Sequence, residues 1–142
     1  MKKQKIIPFP VKSKLLTGTS YGELKKHADL IFALYKGKGD KKVCVRSAFF
    51  KKQKVFFDHF WKHMFQKPKR QRMGRLKLLL GAIELISKSR NKPSKKINPK
   101  KRTEVLYRFY GITNKSKSKF VVQIKQNINT KRLQCISIFP WK

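Results

Sequence analysis

The sequence predicts an α+β fold in which N-terminal helices pack on a small C-terminal antiparallel sheet of three to four strands. The first observation is alternation in the last third of the chain, where apolar and polar side chains take turns in LYRFYGI, KFVVQIKQNI and RLQCISIFPW. The clusters TNKSKS and NTK, typical of reverse turns, separate these pieces. The second observation is a helical period of apolar residues in the segments before residue 90. Together they predict helices followed by a three-stranded antiparallel meander.

The alternation assigns side chains to the two faces of this meander, because neighbouring strand residues point to opposite sides. Gln123 and Lys125 share a face of the middle strand, and Ser137 shares a face of the last strand with Cys135. Arg108 lies mid-way along the first strand. If the registers bring these cations, the amide and the hydroxyl to one side, that face is polar and the other is apolar.

Three helices precede the meander. The first begins at a capping box formed by Ser20 and Glu23 and ends before Gly37. The second is expected over 52–66, where aromatic residues recur with helical period. The third is expected over 68–89, since a proline opens it and leucine and isoleucine form its apolar stripe.

The remaining segments define the domain organisation. Residues 1–18 are basic and contain two prolines, which predicts a flexible arm, and 19–142 is expected to form a single domain. A basic, proline-interrupted stretch at about 90–103 predicts a mobile linker. Residues 43–46 alternate and are a candidate fourth strand of the sheet.

Charge is the most unusual property of the composition. Lys and Arg number 38 and Asp and Glu number 6, which gives a net charge of +32 at pH 7. Such a field attracts polyanions, with nucleic acid first, an anionic membrane surface second and an acidic protein third. No apolar run approaches the roughly 20 residues of a membrane span. Cys44 and Cys135 lack metal-ligand spacing, and buried free thiols in a reducing compartment are favoured over a disulfide between them.

The scarcity of carboxylates argues against a nuclease that uses divalent metals, because such sites need several Asp or Glu ligands close together. RNA carries its own nucleophile, the 2′-hydroxyl, and side chains alone can assist its attack on the neighbouring phosphodiester. His59 and His63 lie four residues apart on the second predicted helix. A proton-transfer role, a metal site lacking a visible third ligand, and ordinary packing or solvation are the three alternatives for this pair.

The first turns of the third predicted helix carry Arg70, Arg72 and Arg75. Cations at this end oppose the helix dipole, so the arrangement favours stability only with an anion alongside. A phosphate-binding surface and a solvated basic face are both compatible with these three residues.

The chain resembles the phage- and toxin-associated members of the superfamily that groups barnase, EndoU, colicin nuclease and RelE-like domains. The similarity is carried by FFDHFWKHMFQKPKRQR, RLKLLLGAIELI, LYRFYG, KFVVQIKQN and ISIFP, and it covers about residues 43 to 140. It implies helices packed on an antiparallel sheet and RNA cleavage without metal or cofactor. It also implies that His59 or His63 transfers protons, and that Arg108, Gln123, Lys125 and Ser137 hold the phosphate and form hydrogen bonds. Tyr107 or Tyr110 is then available to stack a base or to hold a proton.

Two functions from different classes therefore stand side by side. One is a metal-independent endoribonuclease toxin that cleaves tRNA, mRNA or ribosomal RNA in the cytoplasm of its own cell or of a target cell. The other is a non-catalytic RNA- or DNA-binding protein, ribosome-associated or phage-encoded. A third possibility is an effector that docks an acidic protein. The toxin interpretation also predicts an acidic antitoxin or immunity protein as partner.

Overall fold

The computed structural model describes residues 6–36 and 42–141, which form seven strands and four helices. The strands are β1 (Phe9–Pro10), β2 (Cys44–Ser47), β3 (Gln53–Phe56), β4 (Ser94–Ile97), β5 (Glu104–Ile112), β6 (Lys119–Asn127) and β7 (Leu133–Pro140). The helices are α1 (Tyr21–Ala33), α2 (Phe60–Phe65), α3 (Lys69–Leu76) and α4 (Leu79–Lys88).

All seven described strands join one mixed sheet that curls into a half-barrel. The strand order is β1-β5-β6-β7-β3-β2, and β4 pairs with β5 beside β1. The long strands β5, β6 and β7 form the antiparallel meander, while β1 joins β5 and β3 joins β7 in parallel. The predicted small C-terminal sheet with the helices N-terminal to it is therefore wrong. Short strands from the N-terminal half extend the meander on both sides.

The second and third predicted helices have different boundaries in the structure. Residues 53–56 form β3 instead of the start of a helix, and α2 begins only at Phe60. The expected helix over 68–89 is divided into α3 and α4 at Lys77 and Leu78. The alternation in Gln53–Phe56 spans only four residues, which is too short for a clear strand pattern. The aromatic residues that follow recur with helical period, so the helix was predicted to begin too early. The first helix begins as predicted, with the Ser20 hydroxyl accepting from the Glu23 backbone N–H, whereas Gly37 lies outside the described residues.

The two segments expected to be mobile take part in the sheet. In the predicted arm, Val11 is 2% exposed, and the backbone N–H groups of Lys12 and Ser13 donate to the Glu84 carboxylate at 2.8–3.0 Å. Residues 1–5 of that arm lie outside the described residues. In the predicted linker, 94–97 forms β4. Prolines and lysines favour exposed edge strands as well as linkers, which is why composition did not distinguish the two.

The core lies between one face of the sheet and the helices. Phe120, Val122 and Ile124 of β6 are 0% exposed, and they contact α4 and the aromatic residues of α2 in one cluster. A bulge in the pairing of β6 with β7 follows Gln123, so Ser137 lies on the opposite face from Cys135. The shared face expected for these two residues is therefore wrong. Cys135 is buried in the core and, like Cys44, is a free thiol as predicted.

The face of β5, β6 and β7 opposite this core is called here the polar face.

Among the described helices, none combines the length and the apolar character needed to cross a bilayer.

Candidate active site

A row of polar residues crosses the middle of the polar face. Arg108, Gln123 and Ser137 lie directly opposite one another on β5, β6 and β7. Arg108 Nε donates to Gln123 Oε1 at 3.0 Å. Residues opposite one another in neighbouring strands project to the same side, so a guanidinium, an amide and a hydroxyl meet here as the sequence suggested.

Arg75 of α3 reaches the β7 end of this row. Its Nη1 donates to Ser137 Oγ at 2.9 Å and contacts the Ile138 carbonyl at 3.5 Å. Burial lowers the pKa of Arg75 from its ordinary value. The guanidinium carbons of Arg75 and Arg108 lie 5.6 and 5.4 Å from the Phe139 ring centroid. Phe139 therefore helps to hold two cations of the row in place through contacts with its ring.

Lys125 extends the polar face two residues along β6 from Gln123. Its Nζ lies 3.4 Å from Glu104 Oε2 and 3.4 Å from His59 Nδ1. An ammonium has no lone pair, so in this contact Nδ1 of His59 accepts the hydrogen bond and the proton of the neutral ring is on Nε2. The structure thus brings one imidazole into contact with a cation of the sheet.

Glu104 holds Lys125 from the start of β5. Burial favours the neutral acid, but the charge of Lys125 and a hydrogen bond from Asn98 outweigh it, and the pKa of Glu104 falls below 4.5. Lys101 adds a second positive charge at 3.6 Å. Side-chain exposures of 10% for Glu104 and 19% for Lys125 make this a largely buried pair. An ionised Glu104 therefore restrains Lys125 near the row.

His63 follows His59 by one turn of α2 and is half-buried. Burial lowers its pKa below 6.5, and the positive charges of Lys125, His59, Lys62 and Lys67 lower it further. A neutral imidazole at pH 7 can accept a proton. His63 has the protonation state that a general base requires.

The turn that carries His59 is tied to β7 through Asp58. Gln134, which lies opposite Lys125 on β7, donates through Nε2 to Asp58 Oδ2 at 3.4 Å. Arg132 Nη2 lies 3.8 Å from Asp58 Oδ1. These two contacts fix the start of α2 relative to the sheet and thereby the position of the histidine pair.

The structure places the two tyrosines expected to stack bases on opposite faces of the sheet, and it directs Arg72 of α3 to backbone carbonyls. Tyr110 shares the polar face with Arg108, whereas Tyr107 lies opposite the buried Ile124 and points to the other face. Arg72 donates from Nε and Nη2 to the carbonyls of Lys67 and Phe65 at 2.6 and 2.8 Å.

Of the three α3 arginines, only Arg75 has a hydrogen bond to the row. The donors of Arg72 are used on the end of α2, and Arg70 is exposed on α3. The structure therefore brings Arg75 to the row, whereas Arg70 and Arg72 lie elsewhere on α3. The guanidinium of Arg72 reaches backbone carbonyls several residues earlier in the chain. The helical spacing of the three arginines does not predict such a contact.

Glu104, Asp58 and Phe139 contribute to the site and were not identified from the sequence. A signal existed for Glu104, because it lies four residues before Arg108 on an alternating strand and is one of only 6 acidic residues. No comparable sequence signal existed for Asp58, because its role depends on the parallel pairing of β3 with β7. Phe139 was assigned to the face of Ser137, but its contacts with two arginines follow from tertiary packing.

Among residues 6–36 and 42–141, no group of three or more His, Cys, Asp or Glu side chains is arranged to hold a metal ion. Comparison of the chain with protein-family models, with curated proteins and with solved structures found no match. Function is therefore inferred from the geometry of the polar face.

Proposed function

We propose that the protein is a metal-independent endoribonuclease that cleaves RNA by attack of the 2′-hydroxyl on the adjacent phosphodiester. The observation that supports this proposal best is the contact of His59 with Lys125 at 3.4 Å, on the face that also carries Arg108, Gln123 and Ser137. Such a reaction needs a base, charge stabilisation for the phosphorane and a proton donor for the leaving oxygen. The polar face and the adjoining α2 together offer a group for each.

His63 is proposed as the general base. Its lowered pKa keeps the imidazole neutral at pH 7, so it can take the proton of the 2′-hydroxyl. The 2′-oxygen then forms a bond to phosphorus as the bond from phosphorus to the 5′-oxygen breaks. The products are one end with a 2′,3′-cyclic phosphate and one with a 5′-hydroxyl.

His59 is proposed as the donor to the leaving 5′-oxygen. Its Nδ1 accepts from Lys125, so its Nε2–H is directed away from the lysine. As Nε2 gives its proton to the leaving oxygen, Lys125 can supply a proton to Nδ1. This relay conserves the charge of the site, because one proton enters at His63 and one leaves through His59.

The row of polar residues is proposed to bind the phosphate. Arg75 and Arg108 supply charge-assisted donors, which are the strong form of hydrogen bond to phosphate oxygens. Gln123 and Ser137 pair with these arginines and keep the guanidinium groups oriented before RNA arrives. Preorganised donors of this kind stabilise the transition state most, since they need little reorganisation.

Purified protein incubated with total RNA in EDTA should release fragments, and His63→Ala should reduce the rate by about 100-fold or more, the usual contribution of a general base. Lys125→Ala should have a similar effect while most RNA affinity remains, because one phosphate contact among many contributes little to binding. Lys26→Ala, at an exposed position of α1, controls for the loss of one positive charge, and circular dichroism checks that Lys125→Ala remains folded. Equal losses in Lys125→Ala and Lys26→Ala would contradict the proposal.

Membership of the barnase, EndoU, colicin and RelE-like superfamily and a role as a toxin in the cytoplasm are part of the same proposal. A toxin with a net charge of +32 would be neutralised by an acidic antitoxin or immunity protein that associates fast at low salt. Co-purification of a small acidic protein would support this partner. Its absence at low salt would favour an enzyme without a protein inhibitor.

Non-catalytic binding of RNA or DNA is the second candidate. It is favoured by a basic groove beside β2, β3 and the start of β7, whose lining includes Arg46, Lys54, Lys131 and Arg132. Cations spread over several surfaces suit a protein that binds nucleic acid at many phosphates. RNA that is retarded in a gel but remains intact in the EDTA experiment would establish binding over catalysis.

A further inference from the structure

A groove of about 300 Å³ lies beside the row, over β4 and the middle of β5. Its lining includes Ser94, Lys96, Leu106, Arg108 and Tyr110. These five residues supply an apolar side chain, an aromatic ring, two hydroxyls and two cations, and Lys95 and Pro99 complete the lining. It exists because residues 94–97 form a strand along the edge of β5.

The strand registers place this groove next to the proposed reaction centre. Ser94 lies opposite Arg108, and Arg108 lies opposite Gln123. Lys96 lies opposite Leu106, and Leu106 lies opposite Lys125. Neighbouring strands are about 4.8 Å apart, so the groove starts one strand away from Gln123 and Lys125, and all of these side chains project from the polar face.

The ring of Tyr110 is held on two sides. Its hydroxyl is 2.9 Å from Ser94 Oγ, and its ring centroid is 4.9 Å from that of Trp141. A fixed aromatic ring beside cations is the arrangement with which proteins bind unpaired nucleotides, since bases stack on the ring while cations contact the phosphates. Arg108 belongs to both the groove and the row, so one cation can contact phosphates in each.

We propose that this groove binds the unpaired nucleotide that flanks the scissile phosphate, with its base against Tyr110 and Leu106 and its phosphate near Lys96 and Arg108. This proposal rests on the proposed ribonuclease activity, and it makes single-stranded RNA the substrate class. A base in a duplex is stacked between its neighbours and has no free face for Tyr110. Double-stranded RNA is therefore expected to be a poor substrate.

The test uses short DNA oligonucleotides that contain one ribonucleotide, with the neighbouring position on either side carrying a base or made abasic. Removal of the base on one side is expected to lower kcat/KM by about 5- to 150-fold, the range of base–aromatic stacking. Removal on the other side should have a smaller effect. Tyr110→Ala should abolish the difference between base-bearing and abasic oligonucleotides, whereas Tyr35→Ala, a matched tyrosine outside the groove lining, should retain it.

Lys96→Ala is a second variant at an exposed position, so it tests the groove without risk to the core. It should reduce the slope of log Kd against log salt concentration by the amount expected for the loss of one phosphate contact.

Binding is measured with a 2′-O-methyl version of each oligonucleotide, which cannot be cleaved. Fluorescence anisotropy then reports base recognition separately from catalysis.

Equal binding of base-bearing and abasic oligonucleotides by the wild-type protein would overturn the groove proposal, even where RNA is cleaved. Base discrimination that Tyr110→Ala abolishes, in a protein that leaves RNA intact, would support the groove as a nucleotide site and overturn the ribonuclease proposal alone. Retention of base discrimination in Tyr110→Ala would also overturn the groove proposal.

Discussion

Replacing Glu104 with glutamine tests whether this carboxylate holds Lys125 in the site. The carboxylate lies 3.4 Å from Lys125 Nζ, and both side chains are largely buried. At this distance two unit charges attract by about 5 kcal/mol with an effective dielectric constant of about 20. Desolvation offsets part of this attraction, and breaking a buried pair typically costs about 3–5 kcal/mol. Because glutamine can still accept from Asn98, we expect Glu104→Gln to lower the free energy of unfolding by about 2–4 kcal/mol at pH 7.

The pH dependence of this loss has a defined sign. The pKa of Glu104 is lowered below 4.5 in the folded protein, so the unfolded state binds more protons at pH values between the folded and unfolded pKa. The contribution of Glu104 to stability is therefore complete above about pH 4.5, near the value for an unfolded chain, and is lost as pH falls through the folded pKa. The assay is urea unfolding of wild type and Glu104→Gln at pH 7 and at successively lower pH.

Asp29→Asn is the matched control, because it removes one carboxylate from the exposed pair with Lys25 at 3.0 Å. An exposed pair of this kind contributes about 0.2–1 kcal/mol. If Glu104→Gln lowers stability no more than Asp29→Asn, or if its effect persists unchanged well below pH 4, the buried pair does not restrain Lys125 as described.

Three further predictions concern other parts of the fold. If His63 is the base, the acid-side decline of kcat/KM for RNA should have its midpoint below pH 6.5, because burial and neighbouring positive charges lower the pKa of His63 below 6.5; a decline centred above pH 7 would contradict that role. Gly111→Ala should cost about 1–3 kcal/mol in a urea unfolding experiment, since a Cβ there would lie 2.5 Å from Phe120 Cζ. Gly74→Ala, where a Cβ meets nothing within 4 Å, should instead stabilise the protein by about 0.5–1 kcal/mol, and a reversed order would refute the close approach. Arg72→Gln should lower the unfolding free energy by about 1–3 kcal/mol, because the shorter amide cannot replace both donations of the guanidinium to backbone carbonyls, and it should leave the salt dependence of RNA binding unchanged; a reduced salt slope with intact stability would mean that Arg72 contacts phosphate instead.

The meander was predictable because its strands are long. β5 and β6 have nine residues each and β7 has eight, which is enough for period-two alternation to stand out. The row of Arg108, Gln123 and Ser137 depended on registers that alternation alone leaves open. The bulge after Gln123 shows the reason, since one extra residue moved Ser137 away from the face of Cys135.

The alternation of residues 43–46 correctly indicated β2 as a further strand, but the remaining strands could not be read from local patterns. β1, β3 and β4 have two to four residues, which is too short for a periodic signal. The parallel pair of Val55 with Leu133 joins residues far apart in sequence, and its formation depends on tertiary packing. The same limit applies to His59, whose contact with Lys125 requires α2 to lie at one end of the meander.

The cleavage chemistry is tested most directly by mass spectrometry of the products from a DNA oligonucleotide with one ribonucleotide, incubated with the protein in EDTA. Direct attack by the 2′-oxygen predicts one break, immediately 3′ to the ribonucleotide, that leaves a 2′,3′-cyclic phosphate on one product and a 5′-hydroxyl on the other. The same oligonucleotide with a 2′-O-methyl group should remain whole. Cleavage of the methylated oligonucleotide, or an intact ribonucleotide-containing one under conditions where the protein binds it, would contradict the proposed catalytic role of the polar face.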